Sequence, residues 1–431
     1  MTDDRTTGAA QEWRDNWGLV LAGAGGMTLA ALPLASIGVM MAPIEAEMGW
    51  GRASISTGPS AAALVSMCFA AFAGLAVDRF GPRRIGIAAA GSICAAVALL
   101  SQVSESHAVW WSLWIFVGIA GAAMPTVWLA PISRLFQAGR GLAVAVVLSG
   151  AGISSSLVPI VTNALVEQYG WRVAYLALAG IWGGLAIPLV VLLFNFKLAA
   201  TTPADTPKAP PQSALPGLTA RQGLASPTYY KVVIAVLASM LASSALAINL
   251  VPILDFRGFD GSTAAALAGL VGVMTLIGKV VGGYLTDRLG ARVMASAALF
   301  LSCVLPVGLL FGSGDLRLFT VAVVIYGLMA GATLGAVICL VSGHFGARAF
   351  GVLCGGVNAA MALGISLGPL LANGIYDRTH SYEPIMWAAI PLMLLAGALF
   401  ASLGSFPKFG TKAEPGDEPL VIPGTAAAGA P

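Results

Sequence analysis

The sequence predicts an all-α membrane protein with twelve transmembrane helices in two pseudo-symmetric six-helix bundles. Three observations support this prediction. The chain is 58% hydrophobic and only 10% charged, whereas soluble domains carry about 25% charged residues. Its apolar residues form twelve stretches, each long enough to cross a hydrocarbon core of about 30 Å. A charged motif also recurs at the same place in each half of the chain.

The predicted helices are apolar stretches separated by short polar or Gly/Pro-containing segments. They cover residues 18–41, 54–76, 85–102, 109–132, 141–163, 173–196, 230–252, 263–284, 293–312, 318–341, 349–371 and 384–405. The two bundles therefore span 18–196 and 230–405. The Pro-, Ala- and Thr-rich stretch 197–229 lacks an apolar period and is predicted to be a cytoplasmic linker. Residues 1–17 form a polar N-terminal segment, and the Pro/Gly-rich tail 406–431 is predicted to be disordered.

The distribution of lysine and arginine predicts how the chain is oriented. An even number of crossings puts both termini on one side. Of the 22 lysines and arginines, sixteen fall on the side of the termini, including Lys231 at the start of the seventh predicted helix. Five fall on the other side, and one, Lys279, lies in the interior of a predicted helix. Because basic residues are enriched in cytoplasmic loops, we expect a multi-pass protein of the cytoplasmic (inner) membrane with both termini in the cytoplasm. The N-terminus lacks the pattern of a cleaved signal peptide.

The motif G-x-x-x-D-R-x-G-x-R follows the second and the eighth predicted helices, at a constant offset of 209 residues. Two matches at equivalent places indicate a duplicated architecture. The motif residues are Gly74, Asp78, Arg79, Gly81 and Arg83, and then Gly283, Asp287, Arg288, Gly290 and Arg292. We expect the aspartates to latch the cytoplasmic side by accepting hydrogen bonds from helix N-termini or by pairing with arginines. The alternative is that the arginines only fix the topology.

The chain resembles the major facilitator superfamily over essentially its whole length, and in particular the branch of monocarboxylate transporters and oxalate/formate exchangers. The stretches that carry this resemblance are MGWGRASIS after helix 1, SRLFQAGRGLAVAVVLSGAGISSSLVP into helix 5, YGWRVAY in helix 6 and FGARAFGVLCGGVNAAMALGISLGPLLANGIYDRTHSY around helix 11. The resemblance implies two bundles that rock about a substrate near the midplane. It also implies a helix 8 arginine that pairs with a carboxylate. Lys279 stands at that position, which keeps the charge but loses the planar guanidinium.

Lys279 is the only charged residue in the interior of a predicted helix, since Lys231 stands at the start of the seventh. A charge at the centre of a spanning helix costs roughly 2.5–3.5 kcal/mol, so such a residue normally faces a wet cavity or a partner of opposite charge. A substrate anion would be such a partner. The alternative is that the side chain snorkels to cytoplasmic water. Because side chains tilt toward the helix N-terminus, Lys279 should point toward the midplane, which favours substrate binding.

Five further residues are candidates for the substrate cavity. Thr275 lies one turn from Lys279 on the same helix face, where it can orient a carboxylate or a hydroxyl group. The other four are uncommon side chains in apolar stretches, and each either lines the cavity or packs against a neighbouring helix: Asn249, Tyr326, Asn358 and Trp128. The resemblance implies a second cation in helix 11 for some members of the family. None occurs here between Arg348 and Asp377, where Asn358 is the nearest substitute, which favours a single carboxylate over a dicarboxylate.

These observations predict a secondary transporter for a small organic anion, with a monocarboxylate as the favoured substrate. Proton symport, anion exchange and uniport all stay open. The resemblance favours symport, and Asp255 is the nearest candidate acid although it is expected near the periplasm. The alternatives are an oxalate/formate-type exchanger or an efflux carrier for hydrophobic compounds. The sequence shows no pattern for an enzyme, a cofactor, a metal site or nucleic-acid binding, and we expect a monomer in the lipid bilayer.

Overall fold

A computed structural model describes residues 3–104, 106–136, 139–194, 217–312, 315–346 and 348–407. Within these ranges the chain is helical, apart from short connections and an isolated β-bridge between Gly217 and Gly346. The first half contains α1 Asp3–Met48, α2 Arg52–Phe80, α3 Pro82–Leu100, α4 His107–Leu135 and α5 Arg140–Leu193. The second half contains α6 Ala220–Ala225, α7 Pro227–Ile248, α8 Leu250–Phe256, α9 Gly261–Leu289, α10 Ala291–Ser302, α11 Val304–Phe311, α12 Leu316–Phe345, α13 Phe350–Thr379 and α14 Glu383–Ala401.

The described part of the chain has eleven helical segments that are long and apolar enough to cross a membrane. The longest, α5, has 54 residues and contains Gly170, whose φ of 78° and ψ of 166° are not helical. A side chain at this position would be strained, but glycine adopts such a φ readily. The chain therefore turns at Gly170, and residues 140–169 and 171–193 are two separate crossings. The described ranges therefore contain twelve crossings, the number that the sequence predicts.

Two predicted helices are interrupted. The stretch predicted as 230–252 is split into α7 and α8 at Asn249, and the stretch predicted as 293–312 is split into α10 and α11 at Cys303. In both cases a proline follows three residues after the break, at Pro252 and Pro306. Proline has no backbone N–H and removes one bond of the helical ladder, which accounts for both interruptions.

The sequence predicts a polar segment before a first helix that starts at residue 18, but in the structure residues 3–17 already belong to that helix. α1 begins at Asp3. Its first turns pack against the connection between α4 and α5, where the Trp13 ring meets Phe136 edge-on at 5.6 Å and the Gly139 N–H donates to Glu12 Oε2 at 3.0 Å. The helix thus extends beyond the apolar stretch because its polar end has tertiary contacts that hydropathy does not report.

The predicted linker is described only at its end, and of the predicted tail only residues 406–407 lie within the described ranges. The last part of the linker folds as the short helix α6, which starts with a capping box formed by Thr219 and Gln222. The remainder of both predictions, residues 197–216 and 408–431, lies outside the described residues.

The buried hydrophobic residues form one core cluster in the first half and two in the second. The halves meet mainly along two helix pairs, with smaller contacts of α1 with α7 and α8. α2 packs against α13, and α5 packs against α9. Small residues permit the second contact, because Gly269 and Gly272 lie directly against the backbone of Ser155 and Ser156. We call the face that carries both ends of the described chain the terminal face, and the other the opposite face.

The two halves are joined near the opposite face and separate toward the terminal face. The cross-half hydrogen bonds of α2 involve Arg52, Ser56 and Ser60, all in its first nine residues. The same part of α2 is largely buried, whereas Phe72 and Leu75, farther toward the terminal face, are exposed. The central space between the halves is therefore open to the terminal face.

Candidate functional site

A central cavity of about 370 Å³ lies between the two halves. Both halves contribute to it, through α1 and α5 on one side and α7, α8, α9 and α13 on the other. This volume lies within the roughly 300–1,000 Å³ that is typical of small-molecule sites. Most lining residues are Ala, Gly, Val, Leu or Ile, so polar recognition in the cavity depends on a small number of groups.

Lys279 lines this cavity together with Thr275, as their spacing on α9 predicts. The Lys279 side chain is solvent-exposed, and here the solvent is that of the cavity and its opening. No ion pair or side-chain hydrogen bond of Lys279 occurs within the described part of the chain. Among the lining residues it is the one with an ionisable side chain. The cavity thus presents one positive charge without a counterion among the described residues.

Three hydroxyl groups share the cavity with this ammonium group. The hydroxyls of Ser155 and Thr275 donate to the carbonyl oxygens one turn earlier in their own helices, at 3.0 Å and 2.8 Å. The Ser244 hydroxyl donates across to Gly364 O at 2.9 Å. A hydroxyl group also carries lone pairs and can rotate. These side chains can therefore exchange a backbone partner for a bound ligand without leaving a buried group unpaired.

The backbone adds a second set of polar groups, because four lining residues each stand four positions before a proline. Proline lacks the N–H that would bond the carbonyl group four residues earlier, so these carbonyl groups have no such partner in their own helices. The four pairs are Val39 with Pro43, Ser155 with Pro159, Ile248 with Pro252, and Ile365 with Pro369. The first and third pairs are 209 residues apart and the second and fourth 210, so the duplication extends to the walls of the cavity.

Three of the sequence-predicted site residues do not line the cavity in this structure. Trp128 is fully buried in the core of the first half, where its ring packs on Gly26 of α1 and lies edge-on to Phe194 at 5.0 Å. Tyr326 is 1% exposed and donates its hydroxyl to Ser243 O at 3.1 Å. Asn249 is fully buried and donates to Ala245 O at 2.9 Å. Each side chain either donates to a backbone carbonyl oxygen of a helix or packs in a core. A hydropathy pattern cannot distinguish these roles from lining a cavity.

Asn358 and Asp255 lie away from the cavity lining but are accessible. Asn358 is exposed and stands seven residues before Ile365 on α13, which is about two helical turns. It therefore lies on the cavity-lining face of α13, nearer to the terminal face. Asp255 is exposed on α8 near the opposite face, and its carbonyl oxygen accepts the Gly258 N–H. The structure does not bring Asp255 to Lys279.

The duplicated motif forms two matching turns on the terminal face. Gly81 and Gly290 connect the helices with φ of 83° and 85°. Arg83 donates to Val191 O at 3.0 Å and Arg292 donates to Leu403 O at 2.9 Å, so each turn is tied to the last crossing of its own half. The aspartates Asp78 and Asp287 are exposed and have no hydrogen-bond or ion-pair partner among the described residues.

The remaining motif residues are also accessible. Arg79 stacks on Phe80 and Arg288 stacks on Tyr284, with centroid distances of 5.4 Å and 4.7 Å. A side-chain carbon at Gly74 or Gly283 would meet no atom within 4 Å. The motif thus stands at the open end of the space between the halves.

Sequence analysis missed a buried arginine on the opposite face. Arg52 is one of the five cations that the sequence places on the side away from the termini. It is 8% exposed and donates to Glu45 Oε2 at 2.7 Å and to the Tyr382 hydroxyl. Its guanidinium also lies 4.3 Å from the centroid of the Tyr376 ring. Burial raises the pKa of Tyr382, so that phenol stays neutral and Glu45 is the acid that balances Arg52. The signal in the sequence is weak, because Tyr376 and Tyr382 are more than 320 residues away.

The structure has two helical bundles around a shared cavity that opens at one face, which is the architecture of a membrane transporter. Comparison with known proteins identifies the family, since the model of the Major Facilitator Superfamily matches residues 23–228 and 232–425. The chain belongs to the major facilitator superfamily. It is a multi-pass membrane protein whose relatives and fold are those of transporters, not of enzymes.

Several curated relatives are named as monocarboxylate transporters. The chain is 31% identical over 314 residues to human monocarboxylate transporter 11, a match that covers 68% of this chain and 61% of that protein. It is 26% identical over 233 residues to human monocarboxylate transporter 12, covering 48% and 44%. It is 23% identical over 287 residues to the uncharacterized MFS-type transporter YhjX of Escherichia coli K12, covering 65% and 70%. The chain thus spans less than two thirds of the two human relatives.

A solved structure supports the fold. A bacterial homolog of the human lysosomal transporter Spinster, described as inward-facing and unoccupied, aligns with a TM-score of 0.67 at 16% identity. The alignment covers 89% of this chain and 95% of that one. At this identity the likeness shows the fold alone.

Proposed function

We propose that the protein is a secondary transporter for a small organic anion, and that the anion is a monocarboxylate. The observation that carries the proposal is the position of Lys279, a cation in the central cavity without a described counterion. A cation in an apolar cavity at membrane depth is stabilised by a partner of opposite charge. A bound carboxylate supplies that partner, and the human relatives named as monocarboxylate transporters point to the same class.

The cavity favours one charge on a compact, partly apolar molecule. Lys279 is the one ionisable group of its lining, and most of the other side chains are aliphatic. An ammonium group binds a carboxylate as a point charge and does not fix its orientation. In this proposal the hydroxyl of Thr275, one turn away, orients the carboxylate. Asn358 lies on the entry path from the terminal face and contacts the substrate on its way in.

In the proposed cycle the halves rock about the cavity, and the state described here is open to the cytoplasm. The open terminal face carries the excess of basic residues, as the cytoplasmic face of an inner-membrane protein does. When the halves close on this face, Asp78 and Asp287 form the latch, by accepting hydrogen bonds from helix N-termini or by pairing with arginines. The protein acts as a monomer in this scheme, because the cavity is complete within one chain.

We also propose proton symport, without a role for Asp255. A carboxyl group that couples proton binding to substrate transport must have surroundings that differ between the two open states. Asp255 is exposed and lies away from the cavity lining. Exchange of two anions is the alternative. It needs no titrating acid, and a single cation can neutralise each monoanion in turn.

An efflux carrier for hydrophobic compounds is the second candidate function. The aliphatic cavity walls favour it, and one relative over 165 residues at 27% identity is named as a triacylglyceride transporter of Mycolicibacterium smegmatis. Lys279 argues against it, because an uncharged substrate would leave the ammonium group without a partner.

Uptake into proteoliposomes tests the proposal. Radiolabelled acetate, lactate, pyruvate, 2-oxoisovalerate and benzoate are offered with and without an inward proton gradient. We expect the wild type to take up at least one acid and Lys279→Gln to lose that uptake. Lys231→Gln is the matched control, because Lys231 lies at the start of α7, where it donates to Ser402 O at 3.5 Å. If both variants take up the acid as fast as the wild type does, Lys279 does not bind the substrate.

A further inference from the structure

The backbone carbonyl groups in the cavity wall have no role in the proposed function. Among the four that stand four positions before a proline, the carbonyl group of Ser155 differs from the others, because Ser155 and Pro159 both line the cavity. In the other three pairs the proline is not part of the lining. Residues four apart lie on the same side of a helix. The place in α5 where the helical N–H is missing therefore faces the cavity, next to the Ser155 oxygen.

A carbonyl group freed by a proline takes another donor where the fold provides one. In α2, Pro59 has no N–H for the carbonyl group of Ile55. The indole N–H of Trp110 donates to that Ile55 oxygen instead, at 3.0 Å. No hydrogen bond from a side chain or from another helix reaches the Ser155 carbonyl oxygen within the described part of the chain. A molecule bound in the cavity can supply the missing donor.

The Ser155 carbonyl group lies at a depth that a substrate bound to Lys279 reaches. A Cβ atom built at Gly272 of α9 lies 2.6 Å from the Ser155 carbonyl carbon, so Gly272 marks this level on α9. Gly272 stands seven residues before Lys279, about 10 Å along the axis at 1.5 Å per residue. The side chain of Lys279 starts toward the helix N-terminus, which is the direction of Gly272. A carboxylate on the ammonium group thus places its neighbouring carbon atom near the Ser155 oxygen.

The cavity offers many acceptors and few donors. The ammonium group of Lys279 is the one cationic donor of the described lining. The hydroxyl protons of Ser155, Thr275 and Ser244 are donated to backbone oxygens in this structure. The groups that remain are carbonyl oxygens and hydroxyl lone pairs, and both accept hydrogen bonds. A ligand that matches this set has a carboxylate for Lys279 and a donor group next to it.

A hydroxyl group is the donor that suits these surroundings. An oxo group in its place can only accept, so two acceptors would face each other. A hydrogen atom in its place would leave the Ser155 oxygen without a partner once the ligand excludes water, which is unfavourable. An ammonium group would donate, but it would bring a second positive charge near Lys279, and the described lining contains no acid to balance it. The aliphatic walls accommodate the hydrocarbon part of such a ligand.

We propose that the carbonyl group of Ser155 recognises the substituent next to the substrate carboxylate, and that the substrate is a 2-hydroxy monocarboxylate with an aliphatic chain. This inference rests on the proposed function, because Lys279 must hold the carboxylate. Pro159 is then a specificity-determining residue, which acts through the carbonyl group that it leaves free.

Equilibrium binding to the solubilised protein tests the inference with ligands of one branched skeleton. The ligands are 2-hydroxyisovalerate, 2-oxoisovalerate, isovalerate and valine. They place a hydroxyl group, an oxo group, hydrogen and an ammonium group on the carbon atom next to the carboxylate. We expect the wild type to bind the hydroxy acid roughly 2- to 13-fold more tightly than isovalerate or the oxo acid, the range for one net hydrogen bond. Valine should bind most weakly.

Replacing Pro159 tests whether the Ser155 carbonyl group causes this preference. Pro159→Ala has an N–H that can bond the Ser155 oxygen within α5, so this variant should bind the hydroxy acid and isovalerate with affinities within about twofold of each other, because no free acceptor remains. Pro159→Gly restores the same N–H with a more flexible backbone and should behave alike. Pro188→Ala is the matched control. Pro188 is the other proline inside α5, is exposed and does not line the cavity, so this variant should keep the wild-type ranking.

A wild type that binds the hydroxy acid no more tightly than isovalerate or the oxo acid would overturn the inference. A preference for the hydroxy acid that persists in both Pro159 variants would also overturn it. Tighter binding of valine than of the hydroxy acid would contradict recognition of a hydroxyl group. These results leave the proposed function intact as long as isovalerate binds more weakly to Lys279→Gln than to the wild type. If none of the acids depends on Lys279, the proposed function itself fails.

Discussion

Gly272 lets α5 and α9 approach closely beside the cavity, and its replacement by alanine tests that packing. A Cβ atom built at Gly272 lies 2.6 Å from the carbonyl carbon of Ser155 and 2.6 Å from the nitrogen of Ser156. Carbon atoms in ordinary contact are about 3.5–4.0 Å apart, so the two helices must separate by about 1 Å. Both obstructing atoms belong to the backbone and cannot rotate away.

Such overpacking costs about 1–3 kcal/mol. Alanine also raises helix propensity by up to about 1 kcal/mol, but this gain is the same in every state in which α9 is helical. We therefore expect Gly272→Ala to disfavour the state described here by about 1–3 kcal/mol, a factor of roughly 5–150 in its population. Because transport must pass through this state, the uptake rate should fall, and the protein should unfold at a lower temperature.

The control is Gly184→Ala, in the second crossing of α5. Glycine 184 is also helical, but a Cβ atom there meets nothing within 4 Å. This variant gains the same helix propensity without a clash and should match or exceed the wild type in thermal stability. The assays are initial uptake rates in proteoliposomes and the unfolding midpoint in detergent. If Gly272→Ala equals Gly184→Ala in both, α5 and α9 do not pack as described.

Three further predictions concern residues outside the cavity. Arg52→Lys keeps the charge but loses the planar group that reaches Glu45 and Tyr382 together. The distance between spin labels at Ser106→Cys and Leu316→Cys, both exposed on the opposite face, should therefore lengthen; an unchanged distance would contradict that role. Trp128→Ala empties a buried site and should destabilise the fold by about 3–5 kcal/mol with an unchanged KM for the transported acid, whereas a raised KM would place Trp128 at the substrate. Asp255→Asn should leave the proton-gradient dependence of uptake intact, and loss of that dependence would restore Asp255 as the coupling acid.

The architecture follows from sequence because its signals are local or repeated. Stretches of about 20 apolar residues predict crossings, and the offset of 209 residues predicts two matching halves. The ends and interruptions of helices are harder to predict from the sequence. The start of α1 at Asp3 depends on packing of Trp13 against Phe136, and the break at Asn249 depends on Pro252, whose effect in a long apolar stretch is not fixed by hydropathy.

The site is predictable only in part, for a physical reason. A lone charge in an apolar helix is so costly that it must face a cavity or a partner, which is why Lys279 could be identified. An isolated Asn, Tyr or Trp carries no such penalty when it bonds a neighbouring backbone carbonyl, as Asn249 and Tyr326 do. The hydrogen bond from the Arg52 backbone N–H to Asp377 Oδ1 joins residues 325 positions apart. Contacts at such a separation leave no local pattern from which sequence reasoning could predict them.

The central claim is that the ammonium group of Lys279 binds the carboxylate of the substrate. The most direct test of this claim measures the equilibrium binding of a transported acid and of its uncharged amide. Each ligand is tested against the wild type and against Lys279→Gln. Hydrogen bonds between charged groups contribute about 1.5–3 kcal/mol. We therefore predict that the acid binds the variant roughly 10- to 150-fold more weakly, and that the amide binds both proteins equally. If the acid loses no more affinity than the amide, Lys279 does not bind the carboxylate.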